Sequence, residues 1–424
     1  MDANAKAALA EPFYYALLGT AAGLAVGAVI VLFGRGLEFC VAFGAAHFPL
    51  YVWFLPAVGV LTAAMLRRFG RGGIGMAAAF RASRGEGKGF PLRNAAFQFA
   101  GAWSAHLFCA SVGREGAGIQ IGAAVGESIG ARVPLQGADK ILLIAGMAAG
   151  FSALFGTPVC ALFFALEVTV VGALRLRALV AAGFASFAAY LVALSCGFLH
   201  AAEGIELAVQ PGVSLFARVA VLGGACGLTG LLFCFLRRCF SSLFGACKNA
   251  YLRAAAAGLL LAGLLYLTDG RYSGLGTNLI GFAMEGAASP ADFVLKMAFT
   301  AAFLSAGFLG GEVTTFFAAG ACLGCCLGGF LGIPAELAAC IGYVAVFGAA
   351  TNTLIAPVFL CVELFGGGIL PYAAVCCVAA YLCNFGHSVY DQRVREDIVR
   401  RALGGLRKKR PLPLPQPLFV DRKG

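Results

Sequence analysis

Two glutamates, each set among glycines, are the residues of this chain best placed to do chemistry. Glu115 stands in Gly113-Arg114-Glu115-Gly116, ahead of a run that reaches Gly130. Glu312 stands in Gly310-Gly311-Glu312-Val313, followed by Thr314 and Thr315. Both lie in strongly apolar sequence, where an ionisable side chain costs at least about 2.5 kcal/mol and its default reading is functional. Glycine at such a turn lets backbone N–H groups point at an anion, and a helix starting there adds the positive end of its dipole. Gly113, Arg114 and Gly116 are therefore candidate anion-binding positions. In the second segment the Val313 amide and the Thr314 hydroxyl are the corresponding donors. A carboxylate tethered at such a cradle occupies it when ionised and leaves it when protonated, which makes Glu115 both gate and proton carrier. The plain alternative for either glutamate is a helix N-terminal cap, and that rival is stronger at Glu312.

Three more polar residues stand out. Glu167 and Glu363 close apolar runs at matching positions and read as packing or interface groups. Tyr390, in Phe385-Gly386-His387-Ser388-Val389-Tyr390, follows the last apolar run; its phenol either donates into a pore or sits in an interfacial belt. A metal centre is not expected. The chain has four His in no ligand pattern, and its 16 Cys lie mostly in apolar runs, where they read as small packing residues. An intramembrane hydrolase would need a metal pair or a nucleophile–base pair, and no His-x-x-x-His or Glu-x-x-His spacing offers one. No cofactor is implied.

The elements that hold these residues are written in the composition. Of 424 residues, 61% are hydrophobic and 12% charged, against about 45–50% and about 25% in soluble domains. That excludes a soluble globular chain, and the low charge excludes a disordered one. A polytopic, all-α membrane protein remains. Apolar blocks run at about 13–33, 47–66, 94–112, 140–166, 178–199, 214–236, 252–268, 293–309, 336–362 and 369–385. Several exceed spanning length and others are short and broken by Gly, a pattern that predicts tilted, re-entrant and half-spanning helices. Spacings such as Gly122-x-x-x-Gly126-x-x-x-Gly130 predict close helix contacts.

Charge sets the orientation. Residues 67–93 carry seven Lys/Arg against one Glu, and residues 391–424 carry ten against four acids. Both segments read as cytoplasmic, while the stretch 201–214, with Glu203 and Glu206 and no basic residue, reads as external. The N-terminus (1–12) shows no secretory signal, and the basic, Pro-containing tail (393–424) reads as a cytoplasmic end near anionic lipid rather than a nucleic-acid arm.

The chain also repeats itself. The Glu115 and Glu312 segments match at an offset of 197, their following glycines at 198, and Phe151 through Glu167 matches Phe347 through Glu363 at 196. The expected halves are 13–205 and 206–392. Inverted repeats with a site at their interface are a transporter design.

On these residues the sequence resembles the CLC family of chloride channels and transporters: Gly113-Arg114-Glu115-Gly116, the Gly310-Gly311-Glu312 block and the terminal Tyr390, over about residues 15 to 395. The resemblance implies the CLC inverted-repeat fold and a homodimer with one pore per subunit. Its departures point to a branch. Where chloride-handling members carry Gly-Ser-Gly-Ile-Pro, this chain has Gly73-Ile74-Gly75-Met76-Ala77. Where they carry Gly-x-Phe-x-Pro, it has Gly311-Glu312-Val313-Thr314-Thr315. The slot of their second proton glutamate is Val168, one past Glu167, and Ala117 stands where many relatives have Pro. The first three of these changes are similar to those of the fluoride-exporting branch. That implies fluoride/proton exchange in a plasma (inner) membrane, Glu115 as gating glutamate, Met76 and Tyr390 along the anion path, and Glu312 with Thr314 as branch-specific groups. A chloride/proton exchanger or a passive chloride channel of the same fold is the alternative.

Overall fold

Residues in left-handed backbone stop several of these helices and so decide the architecture. The computed structural model describes residues 3–70, 73–87, 89–199 and 211–395. The stretch with Glu203 and Glu206, the residues Arg71 and Lys88, and the tail beyond 395 lie outside the described residues. The first half of the chain runs α1 (Ala3–Ala46), α2 (Phe48–Tyr51), α3 (Leu55–Phe69), α4 (Met76–Ser83), α5 (Arg93–Leu107), α6 (Glu115–Gly130), α7 (Ala138–Phe155), α8 (Pro158–Glu167) and α9 (Leu179–Ser195). The second runs α10 (Val213–Gly245), α11 (Ala250–Leu267), α12 (Thr277–Met284), α13 (Pro290–Ala306), α14 (Val313–Leu331), α15 (Ala335–Thr351), α16 (Ile355–Phe365) and α17 (Leu370–Cys383). The protein is mostly helical, and among the described residues seven segments are long and apolar enough to cross a membrane.

Setting α2 aside, the second series repeats the first in order and in kind. The runs expected at 140–166 and 336–362 are each two helices, because Gly156 (φ 77°) and Asn352 (φ 53°) end α7 and α15 in the left-handed conformation. Gly adopts it freely and Asn more readily than most residues. The two breaks are 196 positions apart, as the repeat requires. At eight residues each, α4 and α12 rise only about 12 Å, too little for a hydrocarbon core of about 30 Å. They are half-spanning elements.

The densest packing is also duplicated. A Cβ placed on Gly122 or Gly126 of α6 would run into the Gly146 or Leu142 carbonyl of α7. A Cβ on Gly320 or Gly324 of α14 would do the same with Gly342 or Ala338 of α15. Backbone therefore lies on backbone in both pairs, the small-residue contact that the glycine spacing implied.

Between the halves, α8 packs on α16, and their repeat mates Phe163 and Phe359 stack at 4.9 Å between ring centroids. Across this contact each helix is capped by the other half. Glu363, near the end of α16, accepts from the Val159 and Cys160 amides that open α8, both at 2.8 Å. Glu167, at the end of α8, accepts from the Leu354, Ile355 and Ala356 amides that open α16, the shortest at 2.6 Å. Two helices that cap each other head to tail are inverted with respect to one another. Each carboxylate satisfies N–H groups that the start of a helix leaves without partners.

Two short strands, β1 (Val170–Val171) and β2 (Arg393–Val394), pair in parallel and tie the end of the described chain beside α8. The same end of the molecule gathers positive charge. Arg84 reaches the Thr169 and Asp391 carbonyls, Arg175 reaches that of Ser83, and Arg393 lies 3.8 Å from Glu86. Hydrogen bonds from Arg84 hold the Glu86 carboxyl below the ordinary glutamate range.

Candidate anion-binding site

The loops that end at the two glutamates meet at the centre of the protein. Gly113 donates to the Gly311 carbonyl at 2.5 Å, and Gly311 donates back to Gly113 at 2.7 Å. Glycine is required on both sides: a Cβ on Gly113 would lie 2.7 Å from the Thr314 hydroxyl, and one on Gly311 would lie 2.8 Å from the Gly116 nitrogen. The bridge brings the first turns of α6 and α14 together.

Glu115 opens α6 but does not act on its own helix. Its fully buried carboxylate crosses to α14, where Oε2 accepts from the Thr314 amide at 3.2 Å and from the Thr314 hydroxyl. The Arg114 amide adds a third donor at 3.3 Å. The other oxygen, Oε1, makes no hydrogen bond and lies 3.6 Å from Arg114 Nε. A carboxylate of the first half thus sits on the N-terminus of a second-half helix, with the amide, hydroxyl and dipole that a free anion would use. Each hydrogen bond to a charged group is worth about 1.5–3 kcal/mol, so the carboxylate and an anion compete for a substantial stabilisation.

Glu312 occupies the matching position with different surroundings. It precedes α14 without capping it. Arg237 of α10 and the Tyr390 phenol are the groups that act on it. Arg237 itself donates to Ser305 Oγ at 2.8 Å. Tyr390 is 7% exposed; its Oη faces Glu312 without a well-formed hydrogen bond. The backbone around it is pinned: Val389 donates to the Ala350 carbonyl, and the Gln392 side chain donates to the carbonyls of Val168 and Thr351. Met76 begins α4 and is buried, and Phe80, one turn on, meets the Tyr390 ring edge-to-face at 5.3 Å. Val313 and Thr314 are buried in the first turn of α14, while Arg114 and Gly116 flank Glu115.

The first-half and second-half candidates therefore come together, with Met76 linked to Tyr390 through Phe80. Two buried donors in this group, Arg114 Nε and Tyr390 Oη, have no hydrogen-bond acceptor among the described residues. Buried polar groups are rarely left so unless something else uses them. No group of His, Cys, Asp and Glu among the described residues could hold a metal ion.

With this geometry in place, the model of the voltage gated chloride channel family matches residues 58–384. The chain belongs to the CLC family. It is 34% identical, over 94% of its own length and 88% of the other's, to a chloride/fluoride channel protein of Pseudomonas syringae pv. tomato (strain ATCC BAA-871 / DC3000). The crystal structure of a CLC-type fluoride/proton antiporter superimposes at a TM-score of 0.87 and 36% identity, covering 90% of this chain and 98% of that one. A slow cyanobacterial Cl⁻/H⁺ antiporter shares the fold at a TM-score of 0.76 and 15% identity, over 87% and 94% of the two chains. This CLC protein is an integral membrane protein of a family of ion channels and transporters.

Sequence reasoning missed several groups around the cradle. Motif and spacing do not mark Arg237, Lys296 or the hydroxyls of Ser111 and Thr300, although Lys296 stands inside the apolar run at 293–309. The rule that flagged the glutamates applies equally to a lysine.

Proposed function

We propose that this protein exchanges fluoride for protons and so exports fluoride across the plasma membrane, with Glu115 as gate and proton carrier. The observation that carries the reading is the Glu115 carboxylate seated on the Thr314 amide and hydroxyl in the first turn of α14. Two like charges cannot share that cradle, so fluoride enters as the carboxylate leaves, and protonation is what releases it. Fluoride is small and a strong acceptor, so close amide, hydroxyl, guanidinium and phenol donors suit its dehydration. The likeness to a fluoride/proton antiporter and to a chloride/fluoride channel protein supports fluoride as the substrate. Protons moving inward supply the drive, about 2.3 kcal/mol per charge for each 100 mV.

In this reading Gly113, Arg114, Gly116, Val313 and Thr314 form the cradle, Met76 and Tyr390 line the path, and Glu312 helps admit fluoride. The basic end faces the cytoplasm, and two copies form a homodimer with one pore each. Purified protein in liposomes tests the reading with a fluoride electrode, under an imposed pH gradient, and again with chloride. Fluoride efflux accelerated by an inward proton gradient and little chloride flux is the expected result. Faster chloride than fluoride movement, or fluoride flux indifferent to the gradient, would overturn it.

A further inference from the structure

Lys296, on α13, is fully buried, and no carboxylate among the described residues pairs with it. The one acid on its helix, Asp292, is taken by Arg271 at 2.7 and 2.8 Å and by the Tyr272 hydroxyl at 3.0 Å. The ammonium instead donates to the Gly274 carbonyl at 2.6 Å, the Ser111 hydroxyl at 2.9 Å and the Tyr272 carbonyl at 3.2 Å. Three donors and three acceptors account for the whole head group. A charged group in the interior without a counter-ion is costly, and hydrogen bonds to carbonyls offset only part of that cost. Such an arrangement calls for a task.

The geometry shows one. Ser111 Oγ lies 3.2 Å from Thr300 Oγ1, and Thr300 Oγ1 lies 2.8 Å from Thr315 Oγ1. All three hydroxyls are fully buried. Either member of each hydroxyl pair is able to donate, but the lysine removes the choice. An ammonium only donates, so Ser111 accepts from it and passes its own hydrogen to Thr300. Thr300 then passes its hydrogen to Thr315. Thr315 lies in the first turn of α14, one residue past the Thr314 that holds Glu115, and its hydroxyl hydrogen bonds to no other described residue. Its hydrogen is left over.

We propose that Lys296 is a positioning residue for anion binding: its ammonium polarises the Ser111–Thr300–Thr315 hydroxyl chain in one direction and so keeps the first turn of α14 donor-rich toward an anion. Hydrogen bonds in such a chain strengthen one another in a low-dielectric interior. Without the charge, each hydroxyl pair is free to reverse, and Thr315 can spend its hydrogen backward on Thr300. Between the corresponding helices of the first half, α5 and α6, the polar contact is neutral. There Gln98 of α5 donates to Gln120 of α6 at 2.8 Å, and Gln120 donates to the Gly116 carbonyl at 3.0 Å. The charged chain thus ends in the same first turn of α14 on which Glu115, and in our reading fluoride, is held.

The inference rests on the anion cradle of the proposed function, and it is tested by the fluoride-concentration dependence of flux in liposomes. Thr300→Val keeps shape and leaves every Lys296 contact intact while cutting the chain in the middle. It is expected to raise KM for fluoride about fivefold to tenfold with kcat within twofold of wild type. Lys296→Met is expected to raise KM at least as much, and adding Thr300→Val to it to change KM no further. Lys296→Arg, which keeps the charge, is expected to restore part of the affinity. Unaltered KM in Thr300→Val, or effects of the two substitutions that simply multiply, would overturn the inference while wild-type transport still upheld the function. Wild-type protein without fluoride flux would overturn both.

Discussion

Two pairs of repeat-related glutamates teach different lessons. Glu167 and Glu363 are used symmetrically: each ends a short helix and caps the start of the other's, and the two contacts are nearly interchangeable. Glu115 and Glu312 share a repeat position and nothing more. One carboxylate crosses to the partner helix and accepts from three donors, while the other caps no helix and lies only within electrostatic reach of Arg237 and the Tyr390 phenol. Where the two-fold relation is kept, the residues hold the halves together. Where it is broken, they face the cradle. A transport cycle needs that asymmetry, since an anion path with equivalent gates in both halves would have no preferred place for the proton.

Breaking the asymmetric pair should have the largest effect. Glu115→Gln removes the titrating group but keeps the shape, so fluoride flux should lose all dependence on an imposed pH gradient; liposome efflux at matched and unmatched pH reads this out. Thr314→Val comes next. It deletes the hydroxyl that donates to Glu115 and, in the proposed cycle, to fluoride, a loss of about 1.5–3 kcal/mol, so KM for fluoride should rise roughly tenfold to a hundredfold. Glu312→Ala should slow turnover by about tenfold with proton coupling retained, measured as the ratio of proton to fluoride movement; unchanged turnover would make Glu312 a structural group. The symmetric pair should behave differently. Glu167→Gln and Glu363→Gln each weaken a charged cap, so the thermal unfolding midpoint in detergent should fall, by a loss of about 1–2 kcal/mol, with flux per folded protein preserved. A coupling defect in either would erase the distinction between the two pairs.

Much of this arrangement is legible from spacing. The turn at Glu115 and the glycines down to Gly130 mark α6 residue for residue, and glycine every fourth position announces the close contact with α7. The offset of 196 to 198 residues reveals the repeated order of elements, down to the stacked mates Phe163 and Phe359. What spacing does not show is which half supplies the partner. That Glu115 rests on α14 rather than α6, and that Glu167 and Glu363 exchange caps, follow from the inversion of the halves, which no local pattern encodes. The breaks at Gly156 and Asn352 are hidden for another reason: each lies in an apolar run whose hydropathy continues past it, and only the backbone angle divides the run. The partners of Lys296 are hidden because they come from two distant segments, and the loop at Tyr272 and Gly274 contributes only backbone carbonyls, which carry no sequence signal.

The claim that the Glu115 carboxylate and fluoride take turns on the N-terminus of α14 is tested most directly by fluoride affinity as a function of pH in the detergent-solubilised protein. Wild-type affinity should weaken as pH rises and the carboxylate ionises into the cradle, whereas Glu115→Gln should bind fluoride equally at every pH. The same pH dependence in both proteins would contradict it.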